Sequence, residues 1–219
     1  IVFDMVVDYL SEASAAWGNP VGAKHVENCK KMIDLADVVT TSSSSIKRSA
    51  LNYHDAVEYL PDSINLEHFK ATRRPRLEDE TRVFWAGSPV KFQELEPILP
   101  IIRDLGLRFI VSSSRLAEIR RLLKDYDVPF ASKKWRYRSF PKTIMLGDIA
   151  ISHRKQDSDY NRGHSSFKIL APMSMGLPVV ASPLASYAEA LSSGGGFLAD
   201  TPDEWRRNLG NLASDKELL

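Results

Sequence analysis

From residue 82 onward the chain alternates short apolar runs with helical segments, and this constrains the fold more than any other feature. The runs are 82–86 (RVFWA), 107–112 (LRFIVS), 128–131, 148–152 (DIAIS), 178–181 (PVVA) and 196–199. Between and after them lie stretches with helical spacing at about 91–105, 114–125, 141–146, 165–176, 184–192 and 202–213. Strands alternating with helices imply βαβ crossovers and a parallel sheet covered by helices. The expected class is therefore α/β, Rossmann-like.

The first part of the chain reads in the same way. Residues 1–7 read as a buried strand. The segment 22–36 places Val26, Cys29, Met32, Ile33 and Leu35 at helical spacing. Val38–Thr41 is a strand, Ser43 or Ser44 can cap a helix over 45–52, and "AVEYL" is a further strand ending in a proline turn. The polar stretch "KATRRPRLEDET" marks the boundary. The expected division is a first domain over 1–69, a linker over 70–81 and a second domain over 82–219.

The 29 basic and 28 acidic residues leave a net charge of +1, so bulk charge gives no reason to expect nucleic-acid binding. One cysteine, Cys29, excludes an internal disulfide framework and suits a reducing compartment. No apolar run approaches the roughly 18 residues of a membrane span. The start "IVFDMVVDYL" carries Asp4 and Asp8 and no basic segment, so it reads as a strand and not as a signal peptide.

In open parallel sheets, ligands bind at the carboxyl ends of the strands. After 82–86 comes "AGSPVKF". Gly87 allows close backbone approach, Ser88 can cap a following helix, and Lys91 can add a point charge to an anion site. A tight turn with a surface lysine explains the same residues. After 128–131 comes "KKWRYRSFPK". Its cations and aromatic rings suit a nucleobase with phosphates, or equally a solvated loop anchored by Trp135.

After 148–152 a long polar loop leads to Ser165 and Ser166 at the start of a helix, with Lys168 in its first turn. A lysine there opposes the helix dipole. A bound anion would supply the missing negative charge, which makes this stretch a phosphate cradle. His153 and His164 lack metal-ligand spacing, so no metal is expected. Asp157 and Asp159 form only a D-x-D in a loop. The sequence has no G-x-S-x-G, P-loop or G-x-G-x-x-G motif.

Four pieces, in order, resemble one family. "KILAPMSMGLPVVASP" is similar to the signature of GT-B glycosyltransferases of the large retaining group 1, or family 4. "SYAEALSSGGGFLADTPDEWRRNLGNLASDKEL" resembles the end of those enzymes. "LADVVTTSSSSIKRSALNYHDAVEYLPDSINLEHF" resembles the passage that closes their N-terminal domain, and "FWAGSP" the start of their C-terminal domain. The resemblance implies a transferase that moves a sugar from a nucleoside diphosphate sugar to a glycan, lipid or protein acceptor.

It further implies that the diphosphate lies near Gly87, Ser88, Gly163, His164, Ser165 and Ser166. The base would lie near Trp135, Arg136 and Tyr137. Lys91 and Lys168 would be the charge partners of the leaving diphosphate, without metal or other cofactor. The expected partners are the donor and an unknown acceptor. The expected location is the cytoplasm, with room for peripheral contact at the inner face of a membrane.

Two departures stand out. The family carries a pair of glutamates, E-x7-E, where this chain has Gly163 and Ala171. A complete enzyme of this kind would also need most of an N-terminal domain before Ile1. A glycosyltransferase-like module without catalysis is thus the alternative expectation. An epimerase of related fold is a more distant one.

Overall fold

The computed structural model describes residues 1–10, 23–70 and 80–215. In chain order the first elements are β1 (Val2–Met5), α1 (Ala23–Asp34), β2 (Val38–Thr41), α2 (Ser44–Ala50) and β3 (Val57–Tyr59). Next come β4 (Arg82–Ala86), α3 (Leu99–Asp104), β5 (Arg108–Ser113), α4 (Leu116–Leu123), β6 (Phe130–Lys134) and α5 (Phe140–Ile144). The last are β7 (Ile149–Ser152), α6 (Asp159–Arg162), α7 (Phe167–Ser174), β8 (Val179–Ala181), α8 (Ala185–Leu191), β9 (Gly196–Leu198) and α9 (Pro202–Ser214). Most of the linker expected over 70–81 lies outside the described residues.

The chain divides into two compact units. The first comprises Ile1–Ser63, Arg154–Phe167 and Leu184–Ser192. The second comprises Ile64–His153, Lys168–Pro183 and Ser193–Leu219.

The first unit is built on a parallel sheet of order β1-β2-β3, with Val2 opposite Val38 and Val39 opposite Val57. Helix α1 buries Val26, Cys29 and Ile33. Met32 and Leu35 are exposed, because the stripe 26–29–33–36 turns them away from the sheet. Ser43 caps α2, its hydroxyl accepting from the amide of Ile46 at 3.2 Å.

The second unit contains a parallel sheet of order β6-β5-β4-β7-β8-β9. Val83, Trp85, Phe109, Val111, Ile149 and Ile151 alternate along three central strands and share one core with Leu95, Leu99, Ile102, Trp205 and Leu209. At the amino end of the sheet, Arg82 grips Asp148 with two guanidinium bonds of 2.8 Å, and both side chains are largely buried. The pair fixes β4 beside β7, where Val83 faces Ile149.

Three elements differ from expectation, the first being α6, a short helix inside the stretch expected as a loop. The helix foreseen over 91–105 is a 3-10 turn at Pro89–Glu94 followed by α3. Pro97 and Pro100 have no N–H to donate, so one continuous helix is excluded. Strand β6 runs to Lys134, further than the expected 131, because its amides pair with β5 through Ser113 opposite Lys134.

Helix α7 ends at Ser174, and Gly176 in the turn after it has a φ of +81°, open to glycine and strained for other residues. The amides of Gly176 and Leu177 bond back to the carbonyls of Met173 and Pro172, a C-terminal cap that turns the chain into β8.

Candidate functional site

In the second unit the chain runs outward from β4 through β5 to β6, and outward on the other side from β7 through β8 to β9. The order reverses between β4 and β7. In a doubly wound sheet the crevice outside the carboxyl ends of such a pair is where ligands sit.

Strand β4 ends at Ala86, and Gly87 follows. A side chain at Gly87 has no room: a Cβ there would lie 2.5 Å from Cη2 of Trp85 and closer still to Cζ2. The amide of Gly87 donates to the carbonyl of Ser112 at 3.0 Å, which draws the turn over the end of β5. Above the same indole stands the ammonium of Lys168, 5.7 Å from the ring centroid. Trp85 itself is almost completely buried. Gly87 and Lys168, far apart in sequence, thus meet on one ring.

Ser88 and Lys91 follow Gly87 but are used differently from expectation. The turn they open is 3-10, and the Ser88 hydroxyl makes no capping bond. The ammonium of Lys91 lies 3.1 Å from the Glu94 carboxylate, and both side chains are mostly buried. That carboxylate offsets the charge foreseen for an anion. Near the turn, the buried hydroxyl of Ser112 has no hydrogen-bond partner among the described residues.

The "KKWRYR" stretch belongs to the same unit. Lys133 and Lys134 end β6, and the amide of Trp135 continues the ladder by donating to Ser113 at 2.9 Å. Trp135, Arg136 and Tyr137 are exposed, and the Trp135 ring tilts against Phe140 at 6.0 Å. One face of Tyr137 is covered: His68 stacks on it at 4.3 Å with 14° between planes, and its Nε2 donates to the Tyr137 carbonyl at 3.1 Å. Trp135 remains an open aromatic surface among cations.

Gly163, His164, Ser165 and Ser166 belong to the first unit. Gly163 is buried; a Cβ there would stand 3.0 Å from the Cβ of Asp8 and from the carbonyl of Asp159, and 3.2 Å from Ile46. The Ser43 hydroxyl donates to the Gly163 carbonyl at 3.1 Å. Asp8 is itself buried and accepts from Ser49 at 2.6 Å and from the amide of Leu10 at 3.0 Å. The His164 carbonyl accepts from Ser186 at 2.6 Å, and its ring sits edge-on to Tyr160 at 5.0 Å. Ser165 is half-buried and Ser166 buried.

The amide of Phe167, first residue of α7, donates to the carboxylate of Asp62 at 3.2 Å. A carboxylate from a distant part of the chain thus meets the helix start, where the sequence alone suggested a bound anion. Sequence reasoning missed Trp85, Glu94, Ser112 and Asp62. Glu94, three residues after Lys91, was the only one of them with a local signal.

Among the described residues, no group of three His, Cys, Asp or Glu side chains is arranged to hold a metal ion. No helix among them is long and apolar enough to cross a membrane.

The sequence matches no protein-family model and no curated protein. Solved structures do resemble it. HepE of Anabaena in complex with UDP-glucose superposes with a TM-score of 0.72 at 12% identity, over 99% of this chain and 63% of that one. A Staphylococcus aureus TarM mutant in complex with UDP gives 0.68 at 10% identity, over 99% and 44%. A UDP-forming trehalose-phosphate synthase of Burkholderia xenovorans gives 0.65 at 11% identity, over 98% and 60%. The fold is of the GT-B type. The chain spans less than two-thirds of each of these proteins.

Proposed function

We propose that the chain is the nucleotide-sugar-binding part of a glycosyltransferase of family 4. It would move a hexosyl group, with retention, from a nucleoside diphosphate sugar to a glycan, lipid or protein acceptor. The observation that carries this reading is the ammonium of Lys168 held over Trp85 next to the Gly87 turn, at the point where the strand order reverses. A cation fixed beside a glycine turn at a strand end suits a diphosphate, whose negative charge grows as the sugar departs. The solved structures of HepE with UDP and UDP-glucose support a donor of this class.

In this reading Lys168 stabilises the leaving diphosphate, the Gly87–Ser88 turn approaches its oxygens, and Trp135 and Arg136 offer a face to the base. Lys91 contributes less, because Glu94 holds it. The cations do the work that a metal performs elsewhere, so no metal is required. A cytoplasmic location, in peripheral contact with a membrane when the acceptor is a lipid, belongs to the same proposal.

One observation favours a second reading, a nucleotide-binding module without transfer. A Cβ at Gly163 would crowd Asp8, Asp159 and Ile46 at 3.0–3.2 Å, and Ala171 is 1% exposed. The two family glutamates are therefore absent from positions that are tightly packed.

Calorimetric titration of the chain with UDP, GDP, ADP and TDP tests the proposal. Binding of one nucleotide, weakened about tenfold or more by Lys168→Ala without loss of fold, is the expected result. Absence of binding by the folded chain would overturn it. Binding without hydrolysis of the matching nucleotide sugar would select the second reading.

A further inference from the structure

We infer that Trp85 is a positioning residue, the seat on which the Lys168 ammonium is held and aimed; this rests on the donor reading above.

Three observations converge on its indole. The ring lies in the core of the second unit with Phe92 and Leu95, so it cannot swing. Its edge presses on Gly87 so closely that a methyl group there would collide with Cη2. Its face carries the Lys168 ammonium at 5.7 Å, within the range of a cation–π contact. One rigid ring therefore registers two parts of the site against each other: the turn after β4 and the first turn of α7.

The chemistry of the seat matters as much as its rigidity. Lys91 is gripped by Glu94, and a carboxylate holds an ammonium by cancelling its charge. An indole attracts the cation through its quadrupole and brings no formal charge of its own. The ring contact thus orders the long side chain of Lys168 and itself adds no formal negative charge beside it. Most of the entropy of fixing a lysine is then spent before the ligand arrives.

The test is a double-mutant cycle on the full 219-residue chain, read as UDP affinity by calorimetry. Trp85→Leu, Lys168→Ala and the combination are compared with the wild type, each checked by thermal melting. The expected result is a loss of roughly five- to tenfold for Trp85→Leu when Lys168 is present, and less than about twofold in the Lys168→Ala background. Trp85→Phe, which keeps a ring under the ammonium, should lose no more than about threefold and only with Lys168 present. That variant carries the cycle if Trp85→Leu does not fold.

Equal losses in both backgrounds would show a purely structural tryptophan and overturn the inference. A wild-type chain that binds UDP but shows such equal losses defeats this role alone. A folded wild-type chain that binds no UDP defeats the donor reading and this role together.

Discussion

The amide of Phe167 donates to the carboxylate of Asp62, a residue 105 positions earlier, at 3.2 Å. The backbone at Phe167 thus meets a negative charge from a distant part of the chain. A carboxylate at this end satisfies one of the helix's unpaired amides and complements its dipole. Asp62→Asn should lower the melting temperature by about 1–4 °C, read by thermal unfolding. An unchanged melting temperature would mean that this bond adds nothing to the helix start.

Gly163 is closed in by Asp8, Asp159 and Ile46. Gly163→Ala should cost about 1–3 kcal/mol, since one neighbour is backbone and cannot swing aside. Gly163→Glu should cost more and restore no transfer. Ala171→Glu, which drives a carboxylate into a buried helix face, should likewise destabilise by several kcal/mol. A folded Gly163→Glu chain with raised turnover of a nucleotide sugar would refute this reading of the packing.

Arg82 and Asp148 form a buried pair at the opposite end of the sheet from the candidate site. Removing one partner strands a charge, so Asp148→Ala should destabilise by about 3–5 kcal/mol and lower the melting temperature by about 10 °C. Replacing both residues with leucine or methionine should recover most of that loss. UDP affinity, measured where the variants are folded, should stay within about twofold of wild type.

Burial, and secondarily the charge of Asp8, push the Cys29 thiol up to about 11. The folded chain therefore favours the neutral thiol. The stability this contributes is fully present below the ordinary thiol range and is lost as pH rises from about 9 to about 11. Cys29→Ala should show a shallower loss of melting temperature across that window. Native chain should resist iodoacetamide at pH 8 and react fully in denaturant. Fast alkylation of the native chain would contradict the burial.

The sequence by itself determined the parallel α/β architecture, because alternation of strands and helices is written in local periodicity. Val38–Thr41 and Arg82–Ala86 are strands over the expected residues, and Gly176 ends its helix through a backbone angle that glycine adopts readily. It also singled out Lys168 as a cation in a first turn, a local anomaly against the dipole. Where proline interrupts helical spacing, as at Pro97 and Pro100, the local pattern pointed to one helix and chain chemistry made two. Only the tertiary structure decided that Lys168 stands over Trp85, that His68 covers Tyr137, and that Asp62 meets Phe167. Each joins residues many positions apart, and such pairings depend on how the sheets are wound. Periodicity along the chain carries no record of them, so the chemistry of the site became legible only where the strands end.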